Sequence, residues 1–437
     1  MKKILFFTIL VTLTLNFKMN ILNSSVFFGN FQFDGESMVI GRLINTQKNG
    51  FFEDAGLLGW TYPIPQNTSK FWHQYDAWCN NTYDFETFQT YDSQVGGQAF
   101  LYGMFCKITR LKGEAALQLF WWMVSFSTAL IFTLFIYWVK SRWGWATALF
   151  VLVSICLSQW VTAFGRNLFW VLGVFYLPFV AALWYLQKYE AIVKLPYRTT
   201  FWLMYATMLL KCLLTGFEFI TTTAVMAVTP WVFYAVMERW SWKKFLQRTA
   251  TASAGIAGAI ITNIVLLAIQ LSFLKGSLAE GFKYIFWSFR KRAYGGEGVI
   301  EHEFVESTNS NLWDVLVAYF NGYALNITHW FDFPLWKMTA RVSIGYCIAL
   351  FAVVSCFVFT SATIRRNPVF YRQQIALTAM LWVSFLAPMS WLVIFKGHAF
   401  VHLHMDPIVW HQPFLLLGAA LTGSMLWTFF QSSKTKL

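Results

Sequence analysis

The histidines of this chain concentrate in one short stretch. Residues 396–413 read KGHAFVHLHMDPIVWHQP and hold four of the seven histidines, beside Lys396. His398 and His402 are four residues apart and His404 follows two further on, so only a compact turn could bring the three together. With Lys396 they could bind a phosphate or pyrophosphate through charge-assisted hydrogen bonds. The alternatives are a zinc site, whose usual ligand spacing differs, and histidines that line a wet helix end.

A pair of carboxylates follows the first apolar segment, in the motif FDGES. Asp34 or Glu36 could act as a general base that accepts a proton from an attacking hydroxyl or amide. Carboxylates at a membrane boundary are costly unless they are solvated or paired, so they often mark a site. The alternative is structural, with Asp34 as the N-cap of a short helix and Ser37 three residues later.

Two isolated charges complete the set of candidate residues. Arg166 lies in FGRNLFWVLG and Glu218 in TGFEFITTT, and each is expected in a very short turn between two apolar segments. Such a charge either marks the topology or contributes to a site. Because both turns are too short to leave the mouth of a helix bundle, we favour a site for both.

The elements that must position these residues are membrane helices. The chain of 437 residues is 57% hydrophobic, only 12% charged and has a mean hydropathy of +0.50, whereas a soluble domain carries about 25% charged residues. We therefore predict one all-α, polytopic integral-membrane domain over residues 1–437. A spanning helix needs about 20 apolar residues, and ten segments qualify: about Ile4–Phe28, Ala115–Val139, Trp143–Phe164, Leu168–Tyr185, Thr200–Gly216, Phe219–Met237, Ala250–Phe273, Val342–Ile364, Ile375–Phe395 and Pro407–Phe430.

Two long polar segments, about 29–114 and 274–341, cannot cross a bilayer and are predicted as outer loops. In the first, interfacial helices are expected at Ser37–Asn45 and within residues 91–113, separated by a loop rich in turn residues at 61–85. The second loop carries Arg290, Lys291 and Arg292 against the usual charge bias of outer loops. Their partner is either an anionic ligand or the acidic run Glu297, Glu301, Glu303 and Glu306.

Charge sets the orientation. With both termini cytoplasmic, every short loop on that side is basic, as the positive-inside rule requires. The net charge of +13 therefore marks a membrane surface and not a nucleic-acid partner. All seven histidines, and all acidic residues except Glu190 and Glu238, fall on the other side, so any active site is extracytoplasmic. The first segment is predicted as an uncleaved anchor, with a cleaved signal peptide as the alternative. Cys79 and Cys106 either pair in an outer disulfide or stay reduced.

This plan resembles the GT-C superfamily of integral-membrane glycosyltransferases, which take a sugar from a polyprenyl-phosphate carrier. The resemblance rests on FDGESMVIGRLINTQKNGFFEDAGLLG and YDSQVGGQAFLYG, and beyond the first 115 residues only on helix count and topology. It implies that Asp34 activates or orients the acceptor, with Glu36 as its neighbour. It places Arg166, Lys396 and the three histidines where phosphate-binding groups are expected, and we add Glu218 to the substrate-binding set.

The expected partners are a polyprenyl-(pyro)phosphate-linked sugar, membrane lipid, and a glycan, glycolipid or protein acceptor. No cofactor is predicted, and no motif supports a divalent metal. The expected reaction is a single, inverting displacement at the sugar. Three alternatives remain: a transporter or flippase for an anionic or lipid-linked substrate, a membrane acyltransferase or O-antigen polymerase-like enzyme, and a non-catalytic assembly subunit.

Overall fold

The computed structural model describes residues 2–189, 196–294, 310–333, 336–337 and 339–434. It is nearly all-α, with 78% of the structure helical. In chain order the helices are α1 (Lys2–Met19), α2 (Ser25–Asn49), α3 (Lys70–Cys79), α4 (Gly97–Thr109), α5 (Gly113–Leu157), α6 (Gln159–Arg166), α7 (Leu172–Lys188), α8 (Tyr197–Thr215), α9 (Ile220–Met237), α10 (Trp242–Lys275), α11 (Leu278–Tyr294), α12 (Leu312–Asn321), α13 (Ile344–Thr360), α14 (Ala362–Arg365), α15 (Pro368–Ser384), α16 (Leu386–Ile394), α17 (Lys396–Val401), α18 (Ile408–His411) and α19 (Phe414–Lys434). The strands are β1 (Leu58–Tyr62), β2 (Thr87–Tyr91), β3 (Tyr323–Asn326), β4 (Asp332–Phe333), β5 (Trp336–Lys337) and β6 (Arg341–Ser343).

Several helices have the length and composition of membrane spans. Within the described residues, five meet both criteria: Gly113–Leu157, Ile220–Met237, Trp242–Lys275, Pro368–Ile394 and Phe414–Gln431. A further apolar helix, α13, is shorter. The structure is therefore nearly all-α, and its several long apolar helices are those of a multi-pass membrane protein. The count of ten spans remains a prediction.

The boundaries of the predicted segments are only partly right. Gly144 has φ 82° and ψ −177°, so α5 consists of two helical parts that meet there, just beyond the predicted gap between the second and third segments. The first predicted segment, Ile4–Phe28, is interrupted, because α1 ends at Met19 and α2 begins at Ser25. Ser24 caps α2 by accepting a hydrogen bond from the Phe27 N–H.

The core lies between the helices, and nearly all of its largest fully buried side chains are aromatic. Trp138, Trp231, Trp391 and Trp410 are all fully buried or nearly so, and each can contribute a large apolar area to packing. Phe17 of α1 is buried and its ring lies 5.9 Å from that of Phe132 in α5. These contacts fix the helices that carry the polar residues discussed below.

The first predicted outer loop folds into a compact unit. β1 pairs antiparallel with β2, from Leu58 opposite Tyr91 to Tyr62 opposite Thr87, and α3 connects them. The predicted loop at 61–85 is therefore wrong in part, because it contains α3. The interfacial helix predicted within 91–113 is present as α4, whereas Ser37–Asn45 is not a separate helix but the second half of α2.

Close backbone approach holds this unit against α2. A Cβ atom added at Gly41 would overlap the carbonyl oxygen of Gly59, so the helix and strand can approach this closely only because position 41 is glycine. Residues 50–112 pack on one end of the bundle, which we call the loop end. The Lys275 ammonium at the end of α10 contacts the Asp92 carboxylate there at 2.9 Å. Cys79 and Cys106 are both free thiols.

Candidate functional site

The two carboxylates of FDGES point into different surroundings. Both lie inside α2, so the interpretation of Asp34 as a helix N-cap is wrong. Two residues along an α-helix correspond to a rotation of about 200°, and the side chains therefore leave on opposite faces. Glu36 is fully buried and Asp34 is partly exposed.

Glu36 is saturated with hydrogen bonds. Its oxygens accept from the Tyr75 hydroxyl at 2.7 Å, the Trp121 indole N–H at 3.1 Å and the Leu168 backbone N–H at 2.9 Å. Burial raises the pKa of Glu36, while the nearby Arg166 guanidinium and these donors act in the opposite direction. Through these hydrogen bonds, Glu36 connects α2 to α3, α5 and the segment after α6.

Arg166 belongs to the surroundings of Glu36 and not to those of Asp34. Its guanidinium lies 4.5 Å from the ring centre of Phe28 and 4.4 Å from that of Trp121. Lys18 of α1 is also close, 5.2 Å from the Trp121 ring and 2.9 Å from the side-chain oxygen of Gln118. The structure therefore separates Arg166 from the other predicted phosphate-binding residues.

Asp34 faces a second group of polar side chains, which we call the Asp34 cluster: Asp34, Lys70, Tyr91, Glu218, Arg292, His398, His402 and His404. Burial raises the pKa of Asp34, and the charges of His404 and Lys70 partly offset this rise. Glu218 belongs to the same environment, since burial and the charge of Asp34 both raise its pKa. A carboxylate whose pKa is raised is a stronger base than an ordinary aspartate, which suits it to act as a general base.

The three predicted histidines do come together, through the turn that follows α17. The ring centres of His398 and His402 are 4.3 Å apart, and those of His402 and His404 are 5.6 Å apart. Burial lowers the pKa of His402 to about 3, with further lowering by His404 and Arg292, and lowers that of His398 well below its usual value. Both rings are therefore neutral at pH 7 and offer hydrogen bonds rather than positive charge.

The strongest cation of the cluster is Arg292, near the end of α11. Its guanidinium donates to the Tyr91 hydroxyl at 3.1 Å. Burial by itself lowers the pKa of Arg292, but Tyr91 and Glu218 outweigh this and raise it above the usual value. The sequence pointed to Arg290–Arg292 as an unexplained basic run, but the acidic residues proposed as its partners, Glu297 to Glu306, lie outside the described residues.

Glu218 sits in the predicted turn between α8 and α9. Burial raises its pKa, opposed by the charges of Arg292 and Lys211. The Lys211 ammonium donates to the backbone carbonyls of Gly216 at 2.9 Å and of Glu218 at 2.6 Å, which fixes the turn. These contacts hold Glu218, which was predicted as a site residue, near Arg292.

Three other groups of the histidine stretch have separate roles. Lys396 donates to the carbonyl oxygen of Ser310 at 3.2 Å. His411 lies apart from the other three histidines, with Nε2 2.8 Å from the Ser158 hydroxyl in a buried pair. Asp406 was not predicted as a site residue; it is buried and accepts a hydrogen bond from the Trp391 indole at 2.7 Å.

An apolar cavity of about 630 Å³ reaches the cluster from the side of the bundle. Arg292, Asp92 and Ser93 supply polar groups to its wall, and aromatic and aliphatic side chains make up most of the rest. Phe286 and Phe289 of α11 line it and are exposed at the protein surface. The remaining lining residues are Phe217, Ile220, Thr221, Ala224, Ile260, Ile264, Leu267, Phe282, Ile285, Ser288, Trp391 and Phe395.

The zinc alternative stays a prediction. Among the described residues, no group of three or more His, Cys, Asp or Glu side chains is arranged to hold a metal ion. Comparison of this chain with protein families, with curated proteins and with solved structures yields no match.

Proposed function

We propose that the protein transfers a sugar from a polyprenyl-(pyro)phosphate carrier to an acceptor at the extracytoplasmic face of a membrane, as a GT-C-like glycosyltransferase. The observation that carries the proposal is the apolar cavity whose wall includes Arg292. A cavity of this kind suits a ligand with a long apolar tail and an anionic head, since a buried phosphate needs a cationic or hydrogen-bonding partner.

The order of groups along the cluster supports a donor bound in one direction. The tail would occupy the cavity, and Arg292 would contact the phosphate. The sugar would then lie toward Glu218 and His402, and the acceptor hydroxyl would reach Asp34. Lys70 lies beside Asp34 and 4.4 Å from the ring centre of Trp60, so α3 and β1 would form the acceptor side.

The proposed reaction is one displacement at the anomeric carbon. The acceptor oxygen forms a bond to that carbon while the bond from carbon to phosphate oxygen breaks, and its electron pair stays on the phosphate. Asp34 takes the proton of the acceptor hydroxyl. Arg292 stabilises the charge that develops on the leaving phosphate, and neutral His398 and His402 supply hydrogen bonds to the donor.

Topology is part of the proposal. The loop end of the bundle would face the extracytoplasmic side, with both chain termini cytoplasmic. The basic residues Arg198 and Lys243 lie at the beginnings of α8 and α10, whose other ends meet residues 50–112. Those beginnings would therefore face the cytoplasm, in agreement with the positive-inside rule.

The test is turnover of purified protein in lipid with a panel of polyprenyl-phosphate and polyprenyl-pyrophosphate sugars. The readout is free polyprenyl phosphate together with sugar on added glycolipid. We expect Asp34→Asn to lose about 10²–10⁴-fold in turnover, the usual contribution of a general base. Asp84→Asn is the matched control, because it makes the same change at a fully exposed side chain between α3 and β2.

A second pair of variants tests the phosphate contact. Arg292→Gln is expected to weaken donor binding and turnover, whereas Arg290→Gln, an exposed position on the same helix, leaves both unchanged. Equal behaviour of the two arginine variants, with donor still consumed, would move the phosphate site elsewhere. Donor translocation across the bilayer without cleavage of the sugar bond would favour the flippase alternative.

A further inference from the structure

A second cavity lies at the loop end, between the last turn of α2 and the last turn of α4. Its volume is about 600 Å³, similar to that of the apolar cavity, but its wall is different in character. Lys107, Arg110 and Lys112 line it, with Thr46 and Phe51 opposite, and none of its lining residues is acidic. Within the described part of the chain, no ion pair within 4 Å involves these three basic side chains.

The position of these bases along the chain places them at a membrane boundary. α5, one of the helices able to span a bilayer, begins at Gly113, directly after Lys112. The three exposed cations therefore lie within six residues of the point where the chain would enter the apolar layer. At that depth the abundant groups of opposite charge are the phosphates of lipid headgroups.

The outer face of α4 has the pattern of a helix that lies on a membrane. Phe100, Leu101, Met104 and Ile108 follow one face of the helix and are exposed by 40%, 52%, 42% and 75%. Phe52, which is 82% exposed, extends this apolar surface, since its ring lies 6.2 Å from that of Phe100. An apolar stripe beside a basic cleft is the arrangement by which interfacial helices bind the headgroup layer.

The backbone holds Arg110 in the cleft at a conformational cost. Its φ of 60° is left-handed, at the position after α4 where glycine is the usual residue. Its N–H donates to the Cys106 carbonyl and closes the end of the helix. Lys107 lies over the Phe51 ring at 5.5 Å, so its stem is also placed against the cleft wall.

We infer that this cleft binds the phosphate headgroup of an anionic membrane lipid, with α4 lying in the headgroup layer. The inference does not rest on glycosyl transfer, because the cleft is lined by none of the residues of the Asp34 cluster. The bound lipid would hold residues 50–112 at a fixed height relative to the bilayer.

The experiment uses the full chain in neutral detergent, titrated with dioctanoyl phosphatidylglycerol, dioctanoyl phosphatidylcholine or inorganic phosphate. Affinity is measured by thermophoresis for wild type and for K107Q/R110Q/K112Q. Each surface cation contributes to the binding free energy of an anionic lipid. Removal of three should therefore raise the Kd for the anionic lipid at least about tenfold. The matched control is R198Q/K243Q/R366Q, which removes the same charge at exposed sites elsewhere and should leave the Kd unchanged.

Three results would overturn the inference. They are an unchanged Kd in K107Q/R110Q/K112Q, an equal loss in the control triple, and inorganic phosphate binding as tightly as phosphatidylglycerol, which would indicate a soluble ligand. If the triple variant does not fold, Arg110→Gln alone is expected to weaken binding about fivefold. K107R/K112R keeps the charge and should keep the affinity.

Discussion

Replacement of Glu36 separates a structural carboxylate from the proposed chemical one. In Glu36→Ala, the Tyr75 hydroxyl, the Trp121 indole and the Leu168 N–H all lose their acceptor inside the protein. Each buried donor left without a partner costs about 1–3 kcal/mol, so the variant should lose about 3–9 kcal/mol. That range is comparable to the whole free energy of unfolding of a typical domain.

Glu36→Gln should be much milder. Its amide oxygen can still accept from Leu168 and Trp121, and its NH₂ group can donate to the Tyr75 oxygen. The variant loses the charge assistance of these bonds and the attraction of Arg166, about 1–2 kcal/mol. The expected order of stability is wild type, then Glu36→Gln, then Glu36→Ala.

The measurement is unfolding in mixed micelles with increasing sodium dodecyl sulfate, followed by tryptophan fluorescence and combined with turnover per folded molecule. Asp34→Asn should show the reverse pattern, with near-normal stability and lost turnover. The reasoning is refuted if Glu36→Ala is as stable as wild type. It is also refuted if folded Glu36→Gln loses turnover while Asp34→Asn keeps it.

Three further predictions concern stability. Gly144→Ala should lower the free energy of unfolding by about 1–3 kcal/mol because of its φ of 82° alone, since an added Cβ meets nothing within 4 Å. Gly418→Ala should lower it by about 1–3 kcal/mol, because the added Cβ overlaps the Phe351 ring. Detergent denaturation measures both changes. Burial lowers the pKa of His402 to about 3, against 6.5 in the unfolded chain. Stability present above pH 6.5 should therefore fall as the pH drops from 6.5 toward 3, by about 1.4 kcal/mol per unit, and thermal unfolding of His402→Asn should show a shallower fall.

Helix content was predictable because composition controls it directly. Long apolar runs can satisfy their backbone in lipid only as helices, and α8 and α9 begin and end within three residues of their predicted segments. By contrast, α10 begins eight residues before its predicted segment and α19 begins seven residues after its own. The interruption between Met19 and Ser25 was not predictable in the same way, since it depends on long-range contacts. Asn23 donates to the Cys156 carbonyl and the Thr162 hydroxyl, far away in sequence.

The site was predictable where local spacing decides it. The turn after α17 brings His398, His402 and His404 together, as their spacing required. The divergence of Asp34 and Glu36 was missed because FDGES was interpreted as a helix start; inside a helix, a spacing of two residues places them on opposite faces. The contact of Arg292 with Tyr91 joins positions 201 residues apart, and no local pattern reports such a contact.

The lateral position of the apolar cavity decides which ligand concentration governs its occupancy. Its exposed rim is formed by Phe286 and Phe289, and its walls include α9 and α10. If α9 and α10 span the bilayer, a molecule that enters there would arrive from the hydrocarbon phase by diffusion in two dimensions. Occupancy then follows the mole fraction of ligand among the surrounding lipids, so dilution with inert lipid at constant bulk concentration should empty the cavity, while dilution with buffer should not.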